Sequence, residues 1–428
     1  MKPRKMKDSG IPWIGKIPEG WTLDKIKRLG KCIIGLTYSP EDVADEGTLV
    51  LRSSNVQGGK IVYDDNVYVK KYIPQELVLQ KNDILICSRN GSRDLIGKCA
   101  LIDEKAQRQT FGTFMTVLRS PANLYLFYVL NSQLFTFYLS AFLTSTINQL
   151  TTENLYNMVV PIPESPEERA KIIALLDSRC GEIDRVIAAK ERQNELLRDQ
   201  RAAVIHEAVT KGLNPKAKFK ESGYEWIGKI PADWTLDKIK WLGKAIIGLT
   251  YSPEEVASNG TLVLRASNIQ GGQVVYDDNV YVRKEIPDEI VLRKDDILIC
   301  SRNGSRALIG KCALIDEKAA GQTFGAFMTV LRSPANRYLF HVLNSQLFSF
   351  YLSAFLTSTI NQLTTENLNN MVVPMPKTPA EQRQIAAHLD SRCGEIDRVM
   401  AANEGMVAKL KEYRASLIWE AVTGKKCL

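Results

Sequence analysis

Apolar side chains recur along Ser165–Thr210 at Ile172, Leu176, Ile183, Val186, Ile187, Leu197, Val204 and Ala208. That spacing draws one stripe down a helical face. Ser165 stands at the N-cap, Pro166 at the first helical position and Glu168 at N3, a capping box with a proline start. A helix of this length runs roughly 65 Å at about 1.5 Å per residue. A single stripe on so long a helix leaves apolar surface in water unless a partner covers it. The chain supplies one, because Thr378-Pro379-Ala380-Glu381 repeats the start signal and a second helical segment follows. The two are expected to pair antiparallel as a coiled coil, with the aliphatic positions inside and Lys190, Arg198 and Asp199 wet.

The rest of the pattern has other periods. Thr48–Arg52, Lys60–Val69, Asp83–Cys87, Gly97–Ile102 and Phe114–Leu118 are β-branched-rich runs set between Gly, Asn and Asp, and read as strands. Ala122–Leu143 reads as helix and Thr144–Thr152 as a polar loop. A short strand, Met158–Ile162, leads to proline and the long helix. Laid on itself at an offset of 213, the chain matches without gaps from Trp13/Trp226 to Glu207/Glu420. About 27 of the 153 positions from Ser9 to Pro161 differ between the copies, against about 24 of the 51 from Ile162 to Gly212. The globular halves are thus alike and the helices have diverged, as packing partners need complementary rather than identical surfaces; Gln193-Asn194 opposite the twin Met406-Val407 illustrates it. The expected fold is mixed α/β (α+β): two near-identical globular domains alternating with two long helices. The boundaries are 1–164, 165–212, 213–377 (opening on the basic linker Asn214–Lys220) and 378–428.

Composition narrows the class. The 428 residues carry an ordinary apolar fraction and no run long enough to cross a membrane. The basic N-terminus has no apolar core, so it is not read as a signal peptide. The net charge of +8 suits an anionic partner. Eight cysteines include no CxxC, and the three histidines lie far from any cysteine pair. They read as small buried residues in a reducing cytoplasm, with no metal site and no cofactor expected.

Catalytic signatures are mostly absent. There is no glycine loop for AdoMet and no Asn-Pro-Pro-aromatic or Asp-Pro-Pro-aromatic motif. Gly91–Cys99 imitates a phosphate loop, but five residues separate its glycines and Cys99 stands where Ser or Thr would hold magnesium. Asp64-Asp65 and Asp277-Asp278 read as turn residues rather than metal ligands.

Three polar clusters carry the candidate chemistry. The first is Ser88, Arg89, Asn90, Ser92 and Arg93, directly after a strand. The second is Arg52, Ser54, Asn55 and Gln57. The third is Asn148 and Gln149, in Ser145-Thr146-Ile147-Asn148-Gln149. Arg pairs bidentately with guanine, and Asn or Gln with adenine, in the DNA major groove. Lys60, Lys70 and Lys71 suit phosphate contacts, which position without specifying. The clusters recur as Ser301, Arg302, Asn303, Ser305 and Arg306; as Arg265, Asn268 and Gln270; and as Asn361 and Gln362. Arg283 and Lys284 are the twins of Lys70 and Lys71.

Ser9-Gly10-Ile11-Pro12-Trp13-Ile14-Gly15-Lys16-Ile17-Pro18 with Trp21 resembles the opening of target recognition domains in type I restriction-modification specificity subunits. Val160-Pro161-Ile162-Pro163 with Glu167-Glu168-Arg169 resembles that family's segment before its spacer helix. Val373-Pro374-Met375-Pro376 with Glu381-Gln382 is closer still, since Arg169 departs from the usual Gln. The resemblance spans essentially the whole chain. It implies a noncatalytic subunit that reads a split DNA target, holds two methyltransferase subunits, and is joined by translocase-nuclease subunits for cleavage. It gives no fixed list of base contacts. Rival readings are an autonomous DNA-binding regulator and an enzyme with an unrecognised site. Because the readers have identical twins and antiparallel helices imply two-fold symmetry, the expected target is palindromic or nearly so. The helix pair then sets a fixed, nonspecific gap.

Overall fold

The computed structural model describes residues 4–143, 148–355 and 361–426. Ser145, Thr146 and Ile147, quoted with the third cluster, and Thr144, where the expected loop begins, lie outside the described residues. The chain forms two compact units: residues 1–190 with 405–428, and residues 191–404. Each unit therefore combines one globular domain with a segment of each long helix, Pro166–Lys211 and Pro379–Val422.

In the first unit the main sheet runs Cys99–Leu101, Ile84–Cys87, Met115–Arg119, Lys31–Ile34, all antiparallel. A second sheet orders Thr110–Phe111, Thr48–Leu51, Tyr68–Val69 and Val43–Ala44, with its first pair parallel. Val159–Ile162 pairs antiparallel with Thr22–Lys25 and carries the chain into the long helix. The second unit repeats these sheets. Some boundaries differ from expectation. Lys60–Val69 is two strands, Lys60–Ile61 and Tyr68–Val69, because Asp64-Asp65-Asn66 turns between them. Ala122–Leu143 is two helices, Asn123–Leu130 and Gln133–Phe142, broken where Ser132 begins a new N-terminus. Between the loop expected to end at Thr152 and the strand expected from Met158, Thr152–Asn157 is a helix capped by Thr151, whose hydroxyl accepts from the Asn154 amide.

The apolar stripe of the first long helix is buried at Ile172, Leu176, Cys180, Ile183 and Ile187, in one core with Leu417, Ile418, Ala421 and Val422. Asp184 pairs with Arg414 at 2.9 Å. In the second unit Ile205, Ala208 and Val209 pack with Ile385, Leu389 and Cys393. Arg201 pairs with Asp397, and Arg198 with Glu404, so the segments run antiparallel. The seam is not wholly aliphatic. Asn403 donates to Asn194 Oδ1 at 2.8 Å and to Gln193, and Asn194 donates to the Met400 carbonyl. Both asparagines are buried. Of the expected stripe, Val186 is exposed and Leu197 and Val204 are half-buried. Arg198 and Asp199 are exposed as expected, whereas Lys190 is half-buried.

The helix starts carry a correction too. The Glu168 amide donates to Ser165 Oγ at 3.1 Å, which is half of the capping box. The Glu168 carboxylate does not return to the N-cap. It accepts from the buried Trp21 indole N–H at 3.1 Å and pairs with Arg4. Glu381 takes Trp234 in the same way at 3.0 Å. The tryptophan of the opening motif is thus a bolt between domain and helix.

Candidate nucleic-acid interface

Strand Ile84–Cys87 delivers the first cluster. Both the Ser88 and Arg89 amides donate to the Phe114 carbonyl at 3.0 Å. On the other side Arg89 bridges to Gln149, and the Leu150 amide donates to the Ser88 carbonyl. The cluster is thereby clamped between 112–114 and 148–150, which joins it to the third cluster. Asn90 Nδ2 donates to Ser53 Oγ at 3.1 Å and ties it to the second. The three clusters, 31 or more residues apart in sequence, meet on one face. The second unit repeats the meeting: Arg302 bridges to Gln362, and Asn361 donates to the Gly304 carbonyl.

In the second unit this face is a cleft of about 570 Å³. Arg265, Arg302 and Asn303 line it, with Tyr251, Asp278 and Phe327. The Arg302 guanidinium lies 5.3 Å from the Phe327 ring centre, and Arg89 lies 5.4 Å from Phe114. Stacking on a ring holds a guanidinium flat while leaving its edge of N–H groups open. Phe327 is 61% exposed and Phe114 55%. An exposed aromatic in a polar cleft is a surface for stacking or for a thymine methyl.

The other candidates divide. Arg52 and Arg265 are braced, each on an aspartate carboxylate, Asp65 at 2.8 Å and Asp278 at 2.7 Å. This gives the turn aspartates their role. Gln57, Gln270, Lys60, Ser92, Ser305, Arg306, Asn148 and Gln149 are exposed. Arg93 is exposed and reaches the Leu143 carbonyl at 2.9 Å. Lys70 pairs with Glu46 at 3.0 Å, and its twin Arg283 donates to Asn259. Lys71 and Lys284 pair with Asp42 and Glu255; the Ser39 backbone amide and then Lys71 hold the Asp42 carboxyl below the usual range, and Lys284 and then the Ser252 amide do so for Glu255. Lys284 also reaches the carbonyl of Thr250, a cleft residue, so it stands at the rim.

Four expected readers leave the set. Asn55 and Asn268 are fully buried. Asn55 accepts from the Arg52 amide and donates to the Val62 and Asp65 carbonyls, so its amide is a staple for its own loop. Asn268 does the same. Ser88 and Ser301 are buried too, their hydroxyls donating to the Phe114 and Phe327 carbonyls while accepting from Thr116 and Thr329. Phe114, Phe327, Tyr251, Ser53 and Thr113 were missed. Met115–Leu118 is buried on every residue, so no alternation sets Phe114 apart.

The phosphate-loop imitation is a turn. Arg93–Leu95 is one short 3-10 turn rather than a helix N-terminus, and Gly97 sits at φ +87°. A Cβ there would meet Leu139 at 2.4 Å. Burial pushes the Cys99 thiol up to about 12, and Cys312 likewise, so neither is a nucleophile at neutral pH. Among the described residues no group of three or more His, Cys, Asp or Glu could hold a metal ion.

The model of the family described as Type I restriction modification DNA specificity domain matches residues 18–196 and 231–397. The chain belongs to that family. Each match covers one specificity domain and runs into the long helix that follows it. The StySPI specificity subunit of Salmonella potsdam, a type I restriction enzyme subunit, is 25% identical over 96% of this chain and 90% of its own length. The MjaVIII specificity subunit of Methanocaldococcus jannaschii is 25% identical over 96% and 94%. A chain solved in work on complex assembly and conformational transition of the type I R-M system superposes with a TM-score of 0.71 at 18% identity. It covers 96% of this specificity-domain chain and 99% of its own, and shows the shared fold.

Proposed function

We propose that the chain is the DNA-recognition subunit of a type I restriction-modification complex. It reads a bipartite target and carries methyltransferase subunits, with restriction subunits as further partners, in the cytoplasm. The observation that carries this is the meeting of three polar clusters on one face of each specificity domain. Arg89 and Arg302 are the best-presented guanine readers, because each is exposed with its guanidinium over an aromatic ring. Gln149 and Gln362, bridged to them, suit an adenine edge. The exposed Lys60 and Lys70 and the rim lysines Lys71 and Lys284 suit phosphates.

The chain is noncatalytic, and the family match disfavours an autonomous regulator. No helix among the described residues is long and apolar enough to cross a membrane. Because the two domains present the same arginines and amides, the target is palindromic or nearly so. It is one short half-site, a fixed gap without sequence requirement, then the reverse complement. Antiparallel segments of the long helices in the second unit support the inversion. Co-expression with a type I methyltransferase subunit in a host lacking its own system tests this. Mapping the methylated bases should return one split motif with inverted halves. Two unrelated half-sites would overturn the palindrome; no motif at all would overturn the function.

A further inference from the structure

Among the described residues, thirteen line the cleft of the second unit, and eleven have identical twins at an offset of 213. The two exceptions are Ala266, where the first domain has Ser53, and Ala326, where it has Thr113. Both exchanges remove a hydroxyl. They flank the same feature, the ring of Phe327 or Phe114 with its arginine. The other loop differences, such as Asp94/Ala307, do not line the cleft.

In the first domain Ser53 Oγ accepts from Asn90 Nδ2 at 3.1 Å. Its own O–H is still a donor, and one lone pair remains. Thr113 adds a second, exposed hydroxyl. A hydroxyl rotates to donate or accept, so it serves more than one base edge. In the second domain Ala266 offers Asn303 no such acceptor. Ala266 and Ala326 instead put two methyl-bearing residues into the lining of the cleft that the exposed Phe327 also lines. Alanine and phenylalanine recognise one feature of a base edge, the thymine C5-methyl.

We propose that Ser53/Ala266 and Thr113/Ala326 break the palindrome at one base position. The second half-site requires thymine there, and the first accepts more than one base. This rests on the DNA-recognition reading above and names the residues that set its asymmetry. A general polarity difference between the domains would instead relax or tighten several positions together.

The test uses the full chain co-expressed with its methyltransferase. The motif of the unsubstituted chain should be inverted halves, identical except for one position, fixed as thymine in one half and degenerate in the other. Ser53→Ala with Thr113→Ala should narrow the degenerate position to thymine. Ala266→Ser with Ala326→Thr should relax the fixed one. Each variant takes residues that the other domain already carries in the same fold, so misfolding does not explain a change. Asp94→Ala with Gln107→Ala, equally borrowed from the second domain but outside the cleft, should leave the motif alone. On synthetic duplexes, deoxyuridine in place of the fixed thymine should weaken binding of the complex by about 10-fold, within the usual cost of one wrong base pair. A motif with equal tolerance at every position of both halves overturns the proposal and leaves the recognition function standing. So does a motif unmoved by either double exchange. The absence of any methylated motif removes both.

Discussion

Arg89 and Asn55 show how one residue type in one kind of loop can have opposite uses. The Arg89 guanidinium lies over the Phe114 ring and the residue is exposed, so its value is in binding. Arg89→Ala, or Arg302→Ala in the other domain, should weaken specific binding by about 1–3 kcal/mol and relax only its own half-site. Lys70→Ala should instead weaken binding to any sequence and lower the salt slope by about one unit. Titrating specific and random duplexes across salt concentrations separates the two; equal losses on both for Arg89→Ala would make it a phosphate contact. Asn55 looks equally polar in the sequence, yet its amide closes its own loop on three backbone groups. Asn55→Ala should cost about 1–3 kcal/mol of stability by leaving buried groups unpaired, read by urea unfolding. Residue type and spacing point to polar loops. They do not tell an amide that faces out from one that turns in, because burial depends on strands elsewhere in the chain.

At the scale of elements, the long helices were the most legible part, since a stripe and a cap are local signals. Their cost of disruption follows burial. Leu176 is fully buried, and Leu176→Ala should cost about 2–5 kcal/mol; Leu197 is half-buried and should cost less. The polar insertion at Asn194 and Asn403 was not legible, because their twins are Val407 and Lys190 and neither copy alone suggests a pair. A buried asparagine pair fixes register at the expense of stability. Asn403→Leu should therefore destabilise by about 1–3 kcal/mol, since Asn194 loses its partner. Adding Asn194→Leu should restore stability to the starting level or above while loosening the alignment of the two segments. Disulfide trapping between cysteines placed one heptad out of register would detect that slip; an unchanged trapping pattern would argue that the ion pairs at Arg201 and Arg198 set the register. The short strands were less legible. Val43–Ala44 and Thr110–Phe111 have two residues each, too few for any period. Thr110–Phe111 takes its edge from the longer Thr48–Leu51, and Val43–Ala44 pairs with Tyr68–Val69, itself two residues long.

At the scale of the whole molecule, boundaries read along the chain and boundaries in space are different things. Sequence periodicity cuts the chain where strands give way to helix, near 164 and 377. The compact units cut through the long helices instead, and the first unit takes residues 405–428 from the far end of the chain. Those residues are not an appendage there. Leu417, Ile418, Ala421 and Val422 belong to the same core as Trp21, Tyr125 and Leu176. The Tyr125 hydroxyl donates to the Val422 carbonyl at 3.1 Å, and Arg414 pairs with Asp184. Lys425 Nζ donates to the Ile14 carbonyl at 3.1 Å. A chain ending at Glu404 should therefore injure the first domain, more than 200 residues from the cut by sequence, more than the second. Ile172, Leu176, Ile183 and Ile187 would lose their cover, and four buried aliphatic or small side chains would be missing from the core. The expected outcome is rapid proteolysis within residues 166–190 and loss of methylation at the first half-site, with protection restored by adding a peptide of residues 405–428. Hydrogen exchange resolved along the chain distinguishes this from general unfolding, since protection of residues 227–375 should survive. Equal loss of protection in both domains would mean that the units fold only together.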